Sequence, residues 1–188
     1  MTVTTIDLKT ALIVVDLQKG IVSLPTVHPM EGVVKHVGLL ADAFRRNGLP
    51  VVLVNVAGGA PGRTELPRSQ REFPAGWSDL IPELNRQPQD HVVTKHTPGA
   101  FTNTDLEAHL RSLGATQVVI VGVATSNGVE VTARQAYGLG FNVTFAIDAM
   151  TDLSAEAHVY SIARIFPRIG ETGTTQEIID HLKGRRSD

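Results

Sequence analysis

The stretch VVIVGVATSNGVEVTARQAY, Val118 to Tyr137, decides how this chain is read. Val118-Val119-Ile120-Val121 is an unbroken apolar run, largely β-branched, as expected of a strand buried on both faces, and its character changes at Gly122. Thr125, Ser126 and Asn127 are good helix N-caps, and Val129, Ala133, Ala136 and Tyr137 then recur at helical spacing. Strand, sharp turn and helix start therefore meet within a few residues. Such a junction turns free N–H groups into the crevice at the carboxyl end of a parallel sheet, where α/β proteins hold anions and reaction intermediates. An ordinary βα connection has the same pattern, so the flanking sequence has to separate the two.

Outward from this stretch the alternation continues. Towards the N-terminus, Ala11-Leu12-Ile13-Val14-Val15 reads as a central strand ending at Asp16. A carboxylate at that place is either a rim group of the ligand crevice or a loop cap. Val33, Val34, Val37, Leu40, Ala41 and Phe44 give a helix from Met30 to Asn47, with Arg45, Arg46 and Asn47-Gly48 as its C-terminal signal. Pro50 to Val56 is a second strand. Ala57 to Ser78 is irregular, carrying Arg63, Arg68, Arg71 and Trp77, and a loop of that length suggests a lid, an oligomer contact or partial disorder. A short helix is expected over Ser78 to Leu84. His91 to Lys95 is a third strand, so Lys95 ends its strand as Asp16 ends the first.

Thr104-x-x-Glu107 reads as a capping box for a helix to about Leu113. Beyond the central stretch, Phe141 to Ile147 is a fifth strand followed by Asp148. Ser154 to Phe166 is a helix stopped by Pro167, and Arg168 to Glu171 is a short edge strand. Thr174-x-x-Glu177 opens a last helix through Leu182. Strands alternating with helices make an α/β fold with a parallel sheet covered on both faces.

The 188 residues suit one domain with one well-buried core. With 42% hydrophobic and 19% charged residues and a net charge of −2, nothing points to nucleic acid or to disorder. The apolar runs are strand-sized, which predicts no membrane span, no signal peptide and a cytoplasmic location. Cysteine is absent, which removes every mechanism with a thiolate nucleophile.

Asp16-Leu17-Gln18, the block Lys95…Gly99-Ala100-Phe101…Thr104-Asp105-Leu106, and Gly122-Val123-Ala124-Thr125-Ser126-Asn127-Gly128-Val129 together resemble the isochorismatase-like hydrolase superfamily, in the same order from about Ala11 to Ala157. The Asp148-Ala149 pair is similar as well. The resemblance implies a three-layer Rossmann-like fold with about six parallel strands in the order 3-2-1-4-5-6, and a homo-oligomer, a dimer or tetramer. Most of that superfamily attacks an amide with a cysteine assisted by an Asp and a Lys; the matching position here is Gly128. True isochorismatases are glycine-like there and hydrolyse a vinyl ether without a protein nucleophile, while a glycine also fits a fold that binds and catalyses nothing.

On the resemblance, Asp16, Lys95 and Gly128 are the catalytic positions, and Gln18, Trp77, Phe101, Ala124 and Asn127 bind a small anionic substrate. The Asp16 carboxyl would act as general acid. A family cis peptide would fall at Val123-Ala124, aiming the amides of Ala124 and Gly128. Val56 to Trp77 contains neither Asp nor His for the divalent ion that some amidases of the superfamily bind, and the histidines show no ligand spacing, so no metal and no cofactor are expected. Ser126 is a rival nucleophile, but it lacks a Gly-x-Ser-x-Gly setting and lies two residues from the cysteine position.

Overall fold

The computed structural model describes residues 3–65 and 73–184; Arg68 and Arg71 lie outside them. Six strands, β1 (Thr10–Val15), β2 (Val51–Val56), β3 (His91–Lys95), β4 (Gln117–Val123), β5 (Asn142–Thr151) and β6 (Glu171–Gly173), form one sheet. All neighbours are parallel and the order is β3-β2-β1-β4-β5-β6, as expected. The helices are α1 (Lys19–Val22), α2 (Met30–Arg46), α3 (Leu106–Ser112), α4 (Glu130–Gly138), α5 (Ala155–Tyr160) and α6 (Thr175–Gly184).

The continuous apolar runs of β1 and β4 follow from burial on two faces. Leu12, Val14, Val119, Val121 and Val123 pack into the layer that holds Val33, Val37, Leu40 and Phe44 of α2 with Ile178 and Leu182 of α6. Ala11, Ile13, Val15, Val118 and Ile120 pack the other way, against Leu106 and Leu110 of α3 and Ala133 and Ala136 of α4. Successive side chains of a strand point to opposite faces, so both sets must be apolar and no alternation shows in the sequence.

Gly122 carries the junction between β1 and β4. Its φ is +115°, and a Cβ there would lie 2.1 Å from the Val15 carbonyl oxygen, so any side chain would push the two central strands apart. At the same place the β4–β5 register shifts, from Ile120 opposite Phe145 to Gly122 opposite Met150. The sequence suggested a strand that stops at Ile147. Instead β5 runs on to Thr151, accommodating an irregularity that contains Asp148. Asp148 is thus inside the strand, and its Oδ1 accepts from the Thr175 amide (2.8 Å) and hydroxyl (2.9 Å) at the start of α6.

Other boundaries differ for local reasons. The short helix expected over Ser78 to Leu84 reduces to a 3-10 turn, Pro82–Leu84, because Pro82 holds Ile81 extended and Leu80 bridges to Gln18. Thr104 makes no capping box: its hydroxyl donates to the Ala100 carbonyl at 2.6 Å and accepts from Leu106 N, and α3 begins at Leu106. The second box forms as expected, with Thr174 N donating to Glu177 Oε2 (2.7 Å) and Glu177 N to Thr174 Oγ1 (3.2 Å). The helix expected from Ser154 is α5 continued by a π turn, Ser161–Ile165, and the edge strand falls at Glu171–Gly173 rather than from Arg168, which ends a 3-10 turn opened at Phe166 and Pro167. Among the described residues no helix is long and apolar enough to cross a membrane.

Candidate active site

Asp16, Lys95 and the segment Val123 to Gly128 leave the carboxyl ends of β1, β3 and β4, and all three line one cavity of about 620 Å³. Asp16 leaves its strand in a left-handed conformation, φ +55°, one that aspartate tolerates better than most residues. Its amide still continues the ladder by donating to the Val54 carbonyl (2.9 Å), while the side chain turns to the cavity. Lys95 is almost wholly buried, its side chain 2% exposed, and its Nζ donates to Asp16 Oδ2 at 2.7 Å and to the Pro98 carbonyl at 2.8 Å.

The second carboxylate oxygen, Asp16 Oδ1, is shut off from solvent and has no hydrogen-bond partner among the described residues. An ionised carboxylate in that state is costly. Burial accordingly pushes the Asp16 carboxyl from 3.8 up to about 6, against the lowering effect of the Lys95 charge and its hydrogen bond. A carboxylic acid with that pKa is still partly protonated near neutrality and can donate that proton.

Gly128 sits directly over this pair. A Cβ at Gly128 would lie 3.1 Å from Asp16 Oδ2 and 3.0 Å from both the Val123 oxygen and Val15 Cγ1, so a glycine lets the turn approach the carboxyl more closely than a residue with a side chain would. The peptide between Val123 and Ala124 is cis. Thr125–Val129 then forms a single π-helical turn before α4, with Ala124, Asn127 and Gly128 on the cavity wall.

The turn is braced from behind. Asp152, which follows β5, accepts the Ser126 amide at 2.7 Å on Oδ2 and the Leu153 and Ser154 amides on Oδ1 (2.7 and 3.1 Å). Burial alone would raise its carboxyl; the hydrogen bonds from Ser126, Ser154 and Leu153 outweigh it and hold the group below the usual range. Thr125 Oγ1 meets the Thr151 carbonyl (3.1 Å) and His158 Nδ1 (2.8 Å). The buried His158 ring is held below its ordinary pKa by burial and by the neighbouring His28 ring, whose centroid is 4.7 Å away, with Asp152 acting in the opposite sense.

The remaining expected residues separate into two groups. Ala124 and Asn127 line the cavity with Asp16, Lys95 and Gly128. Gln18 is fully buried and clamps backbone instead: Oε1 accepts from Val56 N (2.7 Å), and Nε2 donates to Val56 O (3.0 Å) and Trp77 O (3.3 Å). The Trp77 indole lies on Gly20, and its outer face stacks on Phe73, so the aromatic wall of the cavity is Phe73. Phe101 lies away from the cavity. Hydrogen bonds from the Ala100 amide to Thr132 Oγ1 and from the Phe101 amide to Gln135 Oε1 dock this segment on α4, and the Phe101 ring packs towards Phe141. Ser126 is likewise outside the cavity lining, with its backbone amide on Asp152.

Sequence reasoning missed Ile21, Leu24, Phe73 and Leu153 on the walls and Asp152 behind the turn. Asp152 alone carried a signal, being a carboxylate after an apolar run, and Asp148 drew attention away from it.

The pattern of the Isochorismatase domain matches residues 10–177. The chain is 41% identical over 182 residues to the isochorismatase family protein YwoC of Bacillus subtilis, spanning 93% of this chain and 95% of that one. It is similar in structure to an isochorismatase family protein from Burkholderia thailandensis, with a TM-score of 0.91 and 40% identity over 95% of this chain and 98% of the other. An N-carbamoylsarcosine amidase from Thermoplasma acidophilum is a more distant likeness, with a TM-score of 0.74 and 26% identity over 89% of this chain and 96% of the other. The chain belongs to the isochorismatase family, whose members are hydrolases.

Proposed function

We propose that the protein hydrolyses a small molecule by proton transfer from Asp16, without a covalent thiol intermediate, and that an enol ether is the group it cleaves. The Asp16 proton adds to the terminal carbon of the C=C bond, leaving an oxocarbenium ion. Water adds to the cationic carbon, and the resulting hemiketal collapses to a carbonyl compound and an alcohol while the proton released by water returns to Asp16. The balance is one water consumed and no redox change. Lys95 holds the carboxyl in place and stabilises its ionised form after transfer. On the family resemblance Gly128 takes the position of the amidases' nucleophile, and water attacks from the cavity beside it.

One observation carries this reading. A buried carboxyl with a pKa of about 6 lies against Gly128 on the wall of the cavity, in a chain with no cysteine. Lys95 is the cation among the described lining residues, with two of its N–H groups engaged by Asp16 Oδ2 and the Pro98 carbonyl. The test is a panel of vinyl ethers, isochorismate and phenyl vinyl ether among them, with amides and esters alongside. Turnover of a vinyl ether that disappears in Asp16→Asn, with ligand binding kept, supports the reading. A variant near the wild-type rate overturns it, and a panel that is silent throughout favours a binding protein.

A further inference from the structure

The helix made of α5 and its π turn has its polarity reversed for a surface helix. Its fully buried residues are polar: His158, whose Nδ1 meets Thr125 Oγ1 at 2.8 Å, and Ser161, whose hydroxyl donates to Glu130 Oε2 at 2.7 Å. Its exposed residues are Ala155, Glu156, Val159, Tyr160, Ala163 and Arg164, with Val159 open to 62% and Tyr160 to 59%. A helix on the surface of a monomer turns its apolar stripe inward and its polar face to water.

The apolar surface extends beyond this helix. Leu153 precedes α5, is exposed, and lines the cavity with Leu24 and Phe73, while the Val27 amide donates to the Asp152 carbonyl at 2.8 Å beside it. Of the ten exposed large apolar side chains among the described residues, six therefore gather in this region, which is the extended patch of a subunit contact and not a scatter of single residues.

The order of residues along the helix fits a second copy of the same chain. Glu156 and Arg164 stand four residues before and four after Tyr160, and Ala155 and Ala163 stand likewise about Val159. Neither Glu156 nor Arg164 forms an ion pair among the described residues. When two such faces meet antiparallel about a two-fold axis, Glu156 faces the partner's Arg164 at each end, and the small alanines leave room for Val159 and Tyr160 in the middle. A parallel meeting sets like charges against each other. The family resemblance implies a dimer or tetramer but assigns it no face.

We propose that two copies of this protein associate through α5, antiparallel about a two-fold axis beside Val159 and Tyr160, with a Glu156–Arg164 pair at each end of the contact.

Analytical ultracentrifugation tests this, with circular dichroism confirming that each variant keeps its fold. The wild type is expected at twice the monomer mass or a multiple of that, and Val159→Asp to halve the particle mass by weakening the contact at least about thirtyfold. Glu156→Arg and Arg164→Glu each place two like-charged pairs across the axis and are expected to weaken it at least about tenfold. The double variant, and an equimolar mixture of the two single variants, restore opposite charges at both ends and are expected to return within about threefold of the wild type, a recovery that a merely local effect on α5 would not give. A monomeric wild type overturns the proposal whatever else binds this face. A wild-type oligomer indifferent to Val159→Asp, or a double variant no tighter than the single ones, overturns it as well.

Discussion

Lys95 Nζ lies 2.7 Å from Asp16 Oδ2, and burial nevertheless outweighs this contact in setting the proton affinity of the carboxyl. The acid form of Asp16 dominates below about pH 6 and gives way to the ionised form above it. If Asp16 donates the proton, kcat/KM is highest on the acid side and falls about tenfold per pH unit beyond that point. Replacing Lys95 by Met removes the charge and the hydrogen bond that lower this pKa, so the alkaline limb moves to higher pH even though the rate itself drops. A pH–rate profile of both proteins checks this, and a limb that moves down in Lys95→Met contradicts the assignment.

At Gly128 the backbone lies outside the left-handed region, so a methyl group there adds no backbone strain, only crowding against Val123 O, Val15 Cγ1 and Asp16 Oδ2. Gly128→Ala is expected to cost about 1–2 kcal/mol of stability and to lower turnover at least about tenfold by displacing the carboxyl. Urea unfolding and steady-state kinetics measure the two effects. A fully active variant shows that the space is not used.

Asp152→Asn keeps the size of the side chain and discards the charge that accepts three amides, among them Ser126 of the π turn. Losing charge-assisted bonds here costs roughly 2 kcal/mol near neutrality. Because the folded carboxyl lies below its ordinary 3.8, its stabilisation is complete above that pH and fades as the pH falls through the lower folded value. The gap in melting temperature between wild type and variant should therefore be full at pH 6 and shrink below pH 3.8. Amide exchange at Ser126 and Asn127 should speed up in the variant, and kcat should fall more than KM changes.

Asp148→Ala removes the partner of the Thr175 amide and hydroxyl at the start of α6. A lost helix cap of this kind costs about 1–2 kcal/mol, and kcat should stay within about twofold of wild type. The contrast with Asp152, four residues away, separates a carboxylate that secures a distant helix from one that secures the reactive turn.

The parts of the molecule legible in the sequence are those fixed by local pattern. The unbroken apolar runs at Ala11–Val15 and Val118–Val121, the Met30 helix and the strand His91–Lys95 appear where periodicity places them, and Asp16, Lys95 and Gly128 meet because parallel strands end on one edge. What stayed hidden depends on partners far away in the chain. Nothing near Phe101 announces that Thr132 and Gln135 will draw it onto α4, and nothing near Phe73 announces that Gly20 leaves room for the indole behind it. The extension of β5 past Asp148 follows from a register shift against Gly122, which only the paired strands reveal.

Gln18 has a bearing on how such a protein can diversify. By fastening the chain at Val56 and at Trp77, it secures both ends of the intervening segment next to the acid at Asp16. Sequence and length between those two anchors are then free to drift without moving the Asp16 carboxyl. Selection can work on one stretch of chain while the buried Asp16–Lys95 pair is inherited unchanged.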